Sequence, residues 1–328
     1  MPRGPRISPP WKSVVASTCA FPMSAAHISS RPVKRSCTTL PLSALPPEGS
    51  ACTEPSRRLD RNHAFWRTFL TFGLTRMVMP QHSAGDLHIG TSGWHYGSWW
   101  GPFYPRAVKK LDALRYYSTQ FSATELNAPF YRTPSLETVQ GWFDQTPDGF
   151  RFAWKASKFI THWKQLSERC ENSLELLETR LSVLQHKAGP ILFQLPPRMI
   201  ANRDRLASFL KMLKPDRRYS FEFRHPSWYE PSILDLLHDN DISLCLSDHA
   251  AAPAPREPTA SWVYIRNHGP TGRYHGNYSD EAVRDWSYRI AEWRRRPADV
   301  WVFFDNDVKS AAPMDAKRLL GMSRRIAA

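Results

Sequence analysis

From residue 87 to residue 306 the chain alternates eight times between short β-rich runs and stretches of helical spacing, a pattern that few architectures can accommodate. The runs fall at 87–93, 123–127, 151–157, 190–195, 219–224, 242–248, 262–268 and 300–306. Between them apolar residues recur every three or four positions, the period that lines one face of a helix. Val108, Leu111, Leu114, Tyr117 and Phe121 form one such face. Leu174, Leu177, Leu181 and Leu184 form a second, and Leu206, Phe209, Leu210 and Leu213 a third. Ser279 is placed to cap a helix that opens with Asp280 and Glu281 and turns Val283, Trp286, Ile290 and Trp293 inward. Pro231 stands at a first helical position, where its missing N–H has no helical partner to lose.

Eight such repeats in about 240 residues predict a single (β/α)8 TIM-type barrel of the α/β class over residues 85–328. A doubly wound open sheet is the competing arrangement, but neither G-x-G-x-x-G nor a P-loop follows the first run. The sixth crossover, 250–260, is Pro-rich and is expected to lack a helix.

The first 84 residues share none of this. They hold 11 Lys/Arg against 3 acids, 11 of the 28 prolines, and Cys19, Cys37 and Cys52. With no sustained period they read as a disordered Pro/Arg/Ser-rich extension. Their composition suits either a targeting segment or a start placed too far upstream, and translation beginning at Met77 or Met79 is the preferred reading. The apolar stretch at 65–74 is too short to span a bilayer, so no membrane is involved and a cytoplasmic location is expected. The split also changes the charge argument. The formal +14 of the chain divides into +8 on the extension and +6 on the remainder.

A barrel core is normally filled by branched apolar side chains, yet these strands end in polar ones. Glu125 and Asn127 share a face of the second run, and Glu222 and Arg224 a face of the fifth. Lys155, Gln194 and Asp248 lie near the ends of the third, fourth and sixth. Arg266 and His268 share a face of the seventh, and Asp305 and Asn306 close the eighth. Burying this many ions for stability alone is unfavourable, because desolvation can exceed the Coulombic gain. A ligand site at the C-terminal mouth of the barrel is therefore expected. The aromatic loop GTSGWHYGSWWGPFYP at 90–105 is read mostly as a self-packed cap, with one or two rings, Trp94 among them, turned to the ligand.

Several runs together resemble a known family: GTSGW at 90–94, WWGPFYP at 99–105, ELNAPFYRTPS at 125–135 and FAWKA at 152–156. They continue with ITH at 160–162, ILFQLPP at 191–197, FEFRHPSW at 221–228, YIRNHG at 264–269 and FFDND at 303–307. In this order they resemble the YecE-like family, domain-of-unknown-function family 72, over about residues 87–322. The resemblance implies a TIM-type barrel and supplies no reaction. Where the family tends to Tyr-Phe-Asn-Asn in the eighth strand, this chain has Phe303-Phe304-Asp305-Asn306, which adds a carboxylate.

The expected function is that of a hydrolase-like enzyme acting on an anionic, phosphate-bearing or nucleic-acid-derived substrate. RNHGPTGR at 266–273 combines two Arg, a His and glycines suited to an oxyanion. Arg132, His162 and the Arg224-His225 pair add donors. Glu125, Glu222 and His268 are the expected catalytic residues, with His268 or Glu222 as base and Arg224 and Arg266 stabilising negative charge. Trp94, Asn127, Arg132, Lys155, His162, Gln194 and Asn306 complete the expected binding set. A divalent metal is not favoured, since no H-x-H, H-E-x-x-H or C-x-x-C spacing occurs. Cys170 is isolated, and Cys245 is expected in the core. A glycosidase built on Glu125 and Glu222 is a minor alternative, because Arg224 and Lys155 would depress an acid whose pKa must be raised. Nucleic-acid binding without catalysis is the second alternative, and a protein-binding scaffold ranks last.

Overall fold

The structure, a computed structural model, describes residues 84–327; the readings of the extension, including the stretch at 65–74 and its three cysteines, lie outside the described residues. All eight expected runs are strands: β1 (Leu87–Thr91), β2 (Ala123–Leu126), β3 (Arg151–Lys155), β4 (Ala188–Gln194), β5 (Tyr219–Glu222), β6 (Ser243–Ser247), β7 (Val263–Asn267) and β8 (Val300–Phe304). Each stops one or two residues before its expected end, where the chain leaves the ladder to form the mouth of the barrel.

The strands pair in parallel in the order β1-β8-β7-β6-β5-β4-β3-β2. The ring closes between β1 and β2 through a bridge from Ser92 to Glu125, with Gly93 N donating to Glu125 O at 2.7 Å and Thr124 Oγ1 to Thr91 O at 3.1 Å. Gly90 makes that seam possible. A Cβ there would lie 1.9 Å from Ala123 O and 2.9 Å from the Tyr117 hydroxyl, so only a residue without one lets the strands meet.

Alternate residues of each strand face inward. Ala123, Ala153, Leu192, Cys245, Tyr264, Trp301 and Phe303 form a buried cluster within the barrel. Its small and aromatic residues complement one another, in place of the branched aliphatic layers that are usual for this fold. The other strand face, with residues such as Ile89, Phe152, Ile191, Phe221, Leu244, Ile265 and Val302, packs in the main core shared with the helices. Burying each such side chain stabilises the fold by about 1.5–3 kcal/mol.

The helices are α1 (Ala113–Gln120), α2 (Ala128–Tyr131), α3 (Leu136–Asp144), α4 (Glu171–Leu184), α5 (Arg203–Leu210), α6 (Pro231–Asp239), α7 (Asp280–Arg295) and α8 (Ala311–Ala327). As expected, none lies between β6 and β7. Leu177, Leu181 and Leu184 are buried on α4, and Ser279 caps α7 by accepting from Ala282 N. Pro231 opens α6. The first expected helix needs correction at its start. Pro105 sets a turn to Val108, a 3-10 turn follows at Lys110–Asp112, and Leu111 is 87% exposed. Among the described residues no helix is long and apolar enough to cross a membrane.

Candidate functional site

The inward residues at the strand ends meet in one polar assembly whose hub is Arg266. Its guanidinium has no exposed surface and touches three carboxylates. Nε and Nη2 donate to Glu125 at 3.0 and 2.9 Å, Nη1 donates to Glu222 at 2.6 Å, and Nη2 also donates to Asp305 at 2.7 Å. Glu125 further accepts from Ser92 Oγ at 2.8 Å and from the Tyr264 hydroxyl at 2.7 Å. Burial pulls the Arg266 pKa down, but Glu125, Glu222 and Asp305 overcome it and lock the cation in its charged form.

Arg224 forms the next tier. Its guanidinium pairs with Glu222, donates from Nη1 to the Tyr274 hydroxyl at 2.8 Å, and lies 3.2 Å from His268 Nε2. Burial pushes the Glu222 carboxyl up, while Arg224, Arg266, His268 and Lys155 together hold it well below the usual carboxylate range. His268 is fully buried, with Nδ1 3.3 Å from Asp248 and its backbone N–H donating to the same carboxylate at 2.6 Å. Asp248 is fixed from its other side by the Tyr278 hydroxyl.

These contacts revise the expected division of labour. Glu125, Glu222, Arg266 and His268 converge as the strand-end argument required. All four, however, are without accessible surface and are engaged with one another. In this geometry they form a buried ion-pair assembly at the strand ends. The glycine loop after β7 is likewise occupied. Gly269 N donates to the Tyr278 hydroxyl, Gly272 N to Gly269 O and Tyr274 N to His268 O, so these amides are not free to cradle an oxyanion.

Lys155 is different. Its side chain ends in the mouth, only 8% exposed, with Nζ 4.5 Å from the centre of the Phe130 ring. Among the described residues it makes no hydrogen bond, and no carboxylate lies within 4.0 Å of it. Burial and then Arg266 lower its pKa to about 8, against the pull of Asp305, Glu125 and Glu222. Lys187 is the instructive contrast. More deeply buried still, it donates to Phe143 O at 2.8 Å and Thr146 O at 2.6 Å, and so satisfies the carbonyl end of α3. One buried lysine is a structural cap; the other, among the described residues, has only the face of the Phe130 ring beside its ammonium.

Further polar groups, half-buried apart from the buried Gln194, lie on the strand ends and the loops that follow them. His162 packs edge-on against Phe130, with its pKa lowered by burial, Lys155 and Arg224. Gln194 donates through Nε2 to Leu195 O at 2.8 Å. Asn127 reaches Ser92 O at 3.4 Å, and its Oδ1 has no partner. Two rim groups were not singled out from the sequence. Burial and the neighbouring Asp305 raise the Asp307 carboxyl to about 7. His249 packs against His268 and Tyr274 and is lowered to about 4 by burial, Arg224 and His268. Asp307 directly follows the polar pair Asp305-Asn306, but nothing in the local sequence signals a raised pKa.

Three expected residues lie outside this assembly. Trp94 packs edge-on against Trp142, Arg132 is exposed at the end of α2, and Asn306 binds Gly276 O and Asp315. Asn306 thereby ties the loop after β7 to α8, and Asp305 is the β8 residue that reaches the mouth. In the aromatic loop, Trp99, Phe103 and Tyr104 are buried against one another, while Tyr96 lies within the field of Asp307 and Asp305. Cys245 is in the barrel interior. Among the described residues no three His, Cys, Asp or Glu side chains group as metal ligands. A surface groove of about 710 Å³ lies on the flank between α4 and the segment before β5, lined by none of the residues of the Arg266 assembly.

Comparison with known proteins gives a consistent picture. The family described as "Protein of unknown function DUF72" matches residues 88–327. UPF0759 protein YunF of Bacillus subtilis is 24% identical over 271 residues, covering 71% of this chain and 93% of that protein. UPF0759 protein YecE of Escherichia coli is 25% identical over 253 residues, covering 69% and 88%. Among solved structures, a DUF72 family protein from Thermotoga maritima superposes with a TM-score of 0.67 at 25% identity, over 73% of this chain and 99% of that one. One from Enterococcus faecalis gives 0.62 at 18% identity, over 73% and 95%, and supports the fold alone.

Proposed function

The chain belongs to the DUF72 family, for which no reaction is known, and from the geometry of its barrel mouth we propose an enzyme that acts on a small anionic, phosphate-bearing substrate. One observation carries this reading: among the described residues, no carboxylate comes within ion-pair distance of the ammonium of the largely buried Lys155. A charge in a largely closed setting is stabilised by a partner of opposite sign, and one without a carboxylate in reach can take that partner from solution. An incoming oxyanion supplies that partner. Arg224 stands beside the same cavity floor as a second cation, and Asn127 and Gln194 are uncharged hydrogen-bonding groups able to orient a small ligand.

The chemistry we assign is hydrolase-like acid–base work with Asp307 as proton donor. A carboxyl raised to about 7 still carries its proton near neutrality, the property a general acid needs. Neither Glu222 nor His268 serves as base in this reading, because both are sealed beneath Arg224.

Calorimetric titration of inorganic phosphate and glycerol phosphate into the full chain tests the proposal. Saturable one-site binding is expected, weakened at least tenfold in Lys155→Met. It should also weaken as pH rises through about 8, where the ammonium loses its proton. Equal affinity in the wild type and Lys155→Met would remove the proposal.

A further inference from the structure

Three aromatic side chains stand outside the core on neighbouring segments at the C-terminal end of the barrel. Tyr131 on α2 is 67% exposed, and Phe159 and Trp163, in the turn after β3, are 44% and 61% exposed. They form one group. The Phe159 and Trp163 rings meet with centres 4.2 Å apart, and Lys158 Nζ lies 5.4 Å from the centre of Trp163 and 5.9 Å from that of Tyr131. Through Phe130, whose ring is 5.0 Å from Tyr131, the group adjoins Lys155. A contiguous exposed apolar surface of this kind marks a contact site, unlike apolar residues scattered singly.

The backbone holds the rings out at a cost. Phe159–Trp163 is a π-helical turn, closed by Lys164 N donating to Phe159 O at 2.8 Å. It buries Ile160 and Thr161 and leaves Phe159 and Trp163 in water. Gln165 and Leu166 then take φ of +48° and +60°, left-handed values that a Cβ resists. Single π turns and strained residues persist where their surroundings fix them, and they gather at functional sites.

Charge selects what this surface takes. Residues 126–136 and 155–167, which carry the three rings, contain Arg132, Lys155, Lys158 and Lys164 and no Asp or Glu. Rings interleaved with cations suit a single strand of nucleic acid, whose bases stack on the rings while its phosphates meet the cations. An anionic membrane fits less well. Ser173 and Leu176 of α4 share a pocket of about 220 Å³ with Phe159, and the same helix exposes Glu171 and Glu175. A flat anionic sheet over the rings brings its phosphates towards those carboxylates, whereas a strand can follow the basic side alone.

We propose that this rim binds single-stranded nucleic acid, with unpaired bases stacked on Tyr131 and Trp163 and a phosphate on Lys158. The inference goes beyond the anion-site reading and does not depend on it. Rings and ammoniums meet every base alike, so the binding is indifferent to sequence. It requires unpaired bases, because in a duplex the faces of the bases are already covered by one another.

Fluorescence anisotropy of a labelled oligothymidine of about 15 nucleotides, titrated with the full chain, measures the affinity. The same strand carrying 5-iodouracil, irradiated in the complex and followed by peptide mapping, locates the contact and separates the rim from the basic extension. Adducts on Tyr131 or Trp163 are expected. The double variant Tyr131→Ala/Trp163→Ala, whose changes lie at exposed positions, should bind the strand at least tenfold more weakly and lose the preference for single strand over duplex. Lys158→Gln, which leaves both rings in place, should flatten the slope of log affinity against log salt by about 0.7, the share of one phosphate contact on a single strand. Adducts confined to the extension, or an affinity unchanged in the double variant, would overturn the proposal. So would a rim that binds phosphatidylglycerol vesicles through Trp163 and no strand at all.

Discussion

Replacing Lys155 with methionine keeps most of the unbranched stem and removes the charge, so the variant isolates what the ammonium costs the fold. Burial drops its pKa from 10.5 to about 8, and a tenfold change in a protonation equilibrium is worth about 1.4 kcal/mol. Holding the charge at pH 7 therefore destabilises the folded chain by about 3 kcal/mol. Lys155→Met should be more stable than wild type by an amount of that order. For a domain of this size each kcal/mol moves the thermal midpoint by about 2–4 °C. The pH dependence gives an independent check on sign. The folded chain releases the proton near 8 and the unfolded chain near 10.5, so between them the unfolded state binds more protons and wild-type stability rises with pH. The advantage of the variant should shrink by about 2 kcal/mol between pH 7 and pH 9.5. Urea denaturation followed by circular dichroism at both pH values measures it. A variant less stable than wild type, or an advantage that does not change with pH, would refute the claim that Lys155 lacks a partner.

Arg266→Met leaves three carboxylates buried without their cation and should cost about 3–5 kcal/mol at pH 7, less at pH 5.5, where the orphaned groups take up protons; chemical denaturation at the two pH values reads this. Gly90→Ala should open the β1–β2 seam and cost about 3 kcal/mol in the same assay, because its new methyl meets backbone that cannot yield. Asp307→Asn mimics the protonated carboxyl. Wild type should lose stability relative to the variant as pH rises from about 4 through about 7, since its folded form binds the extra proton there; the difference in thermal midpoint between the two across that range reads this.

The barrel was legible because two periods alternate without interruption, and because polar residues such as Glu125, Glu222 and Arg266 sit where a barrel needs apolar ones. Even the missing sixth helix was readable from its prolines. The role of each polar residue was not. Arg266 and Lys155 both read as strand-end cations, yet one meets carboxylates from β2, β5 and β8 while the other meets a phenyl ring. That difference is set by partners 39 to 141 residues away, which no local pattern encodes. Asn306 and Asp305 show the same limit at shorter range, since just beyond β8 one turns to Arg266 and its neighbour to Asp315 on α8. Leu111 kept the helical period but stands in a turn outside the helix, because Pro105 delays the start of α1.

The central claim is that the mouth of the barrel is an anion site organised by Lys155. Soaking crystals of the protein in tungstate, an oxyanion of phosphate's shape, and collecting anomalous diffraction at the tungsten edge tests it most directly. The account predicts a peak in the mouth, with an oxygen about 2.7–3.2 Å from Lys155 Nζ, that disappears in Lys155→Met. Tungsten bound only at exposed surface sites, with the mouth empty, would contradict it.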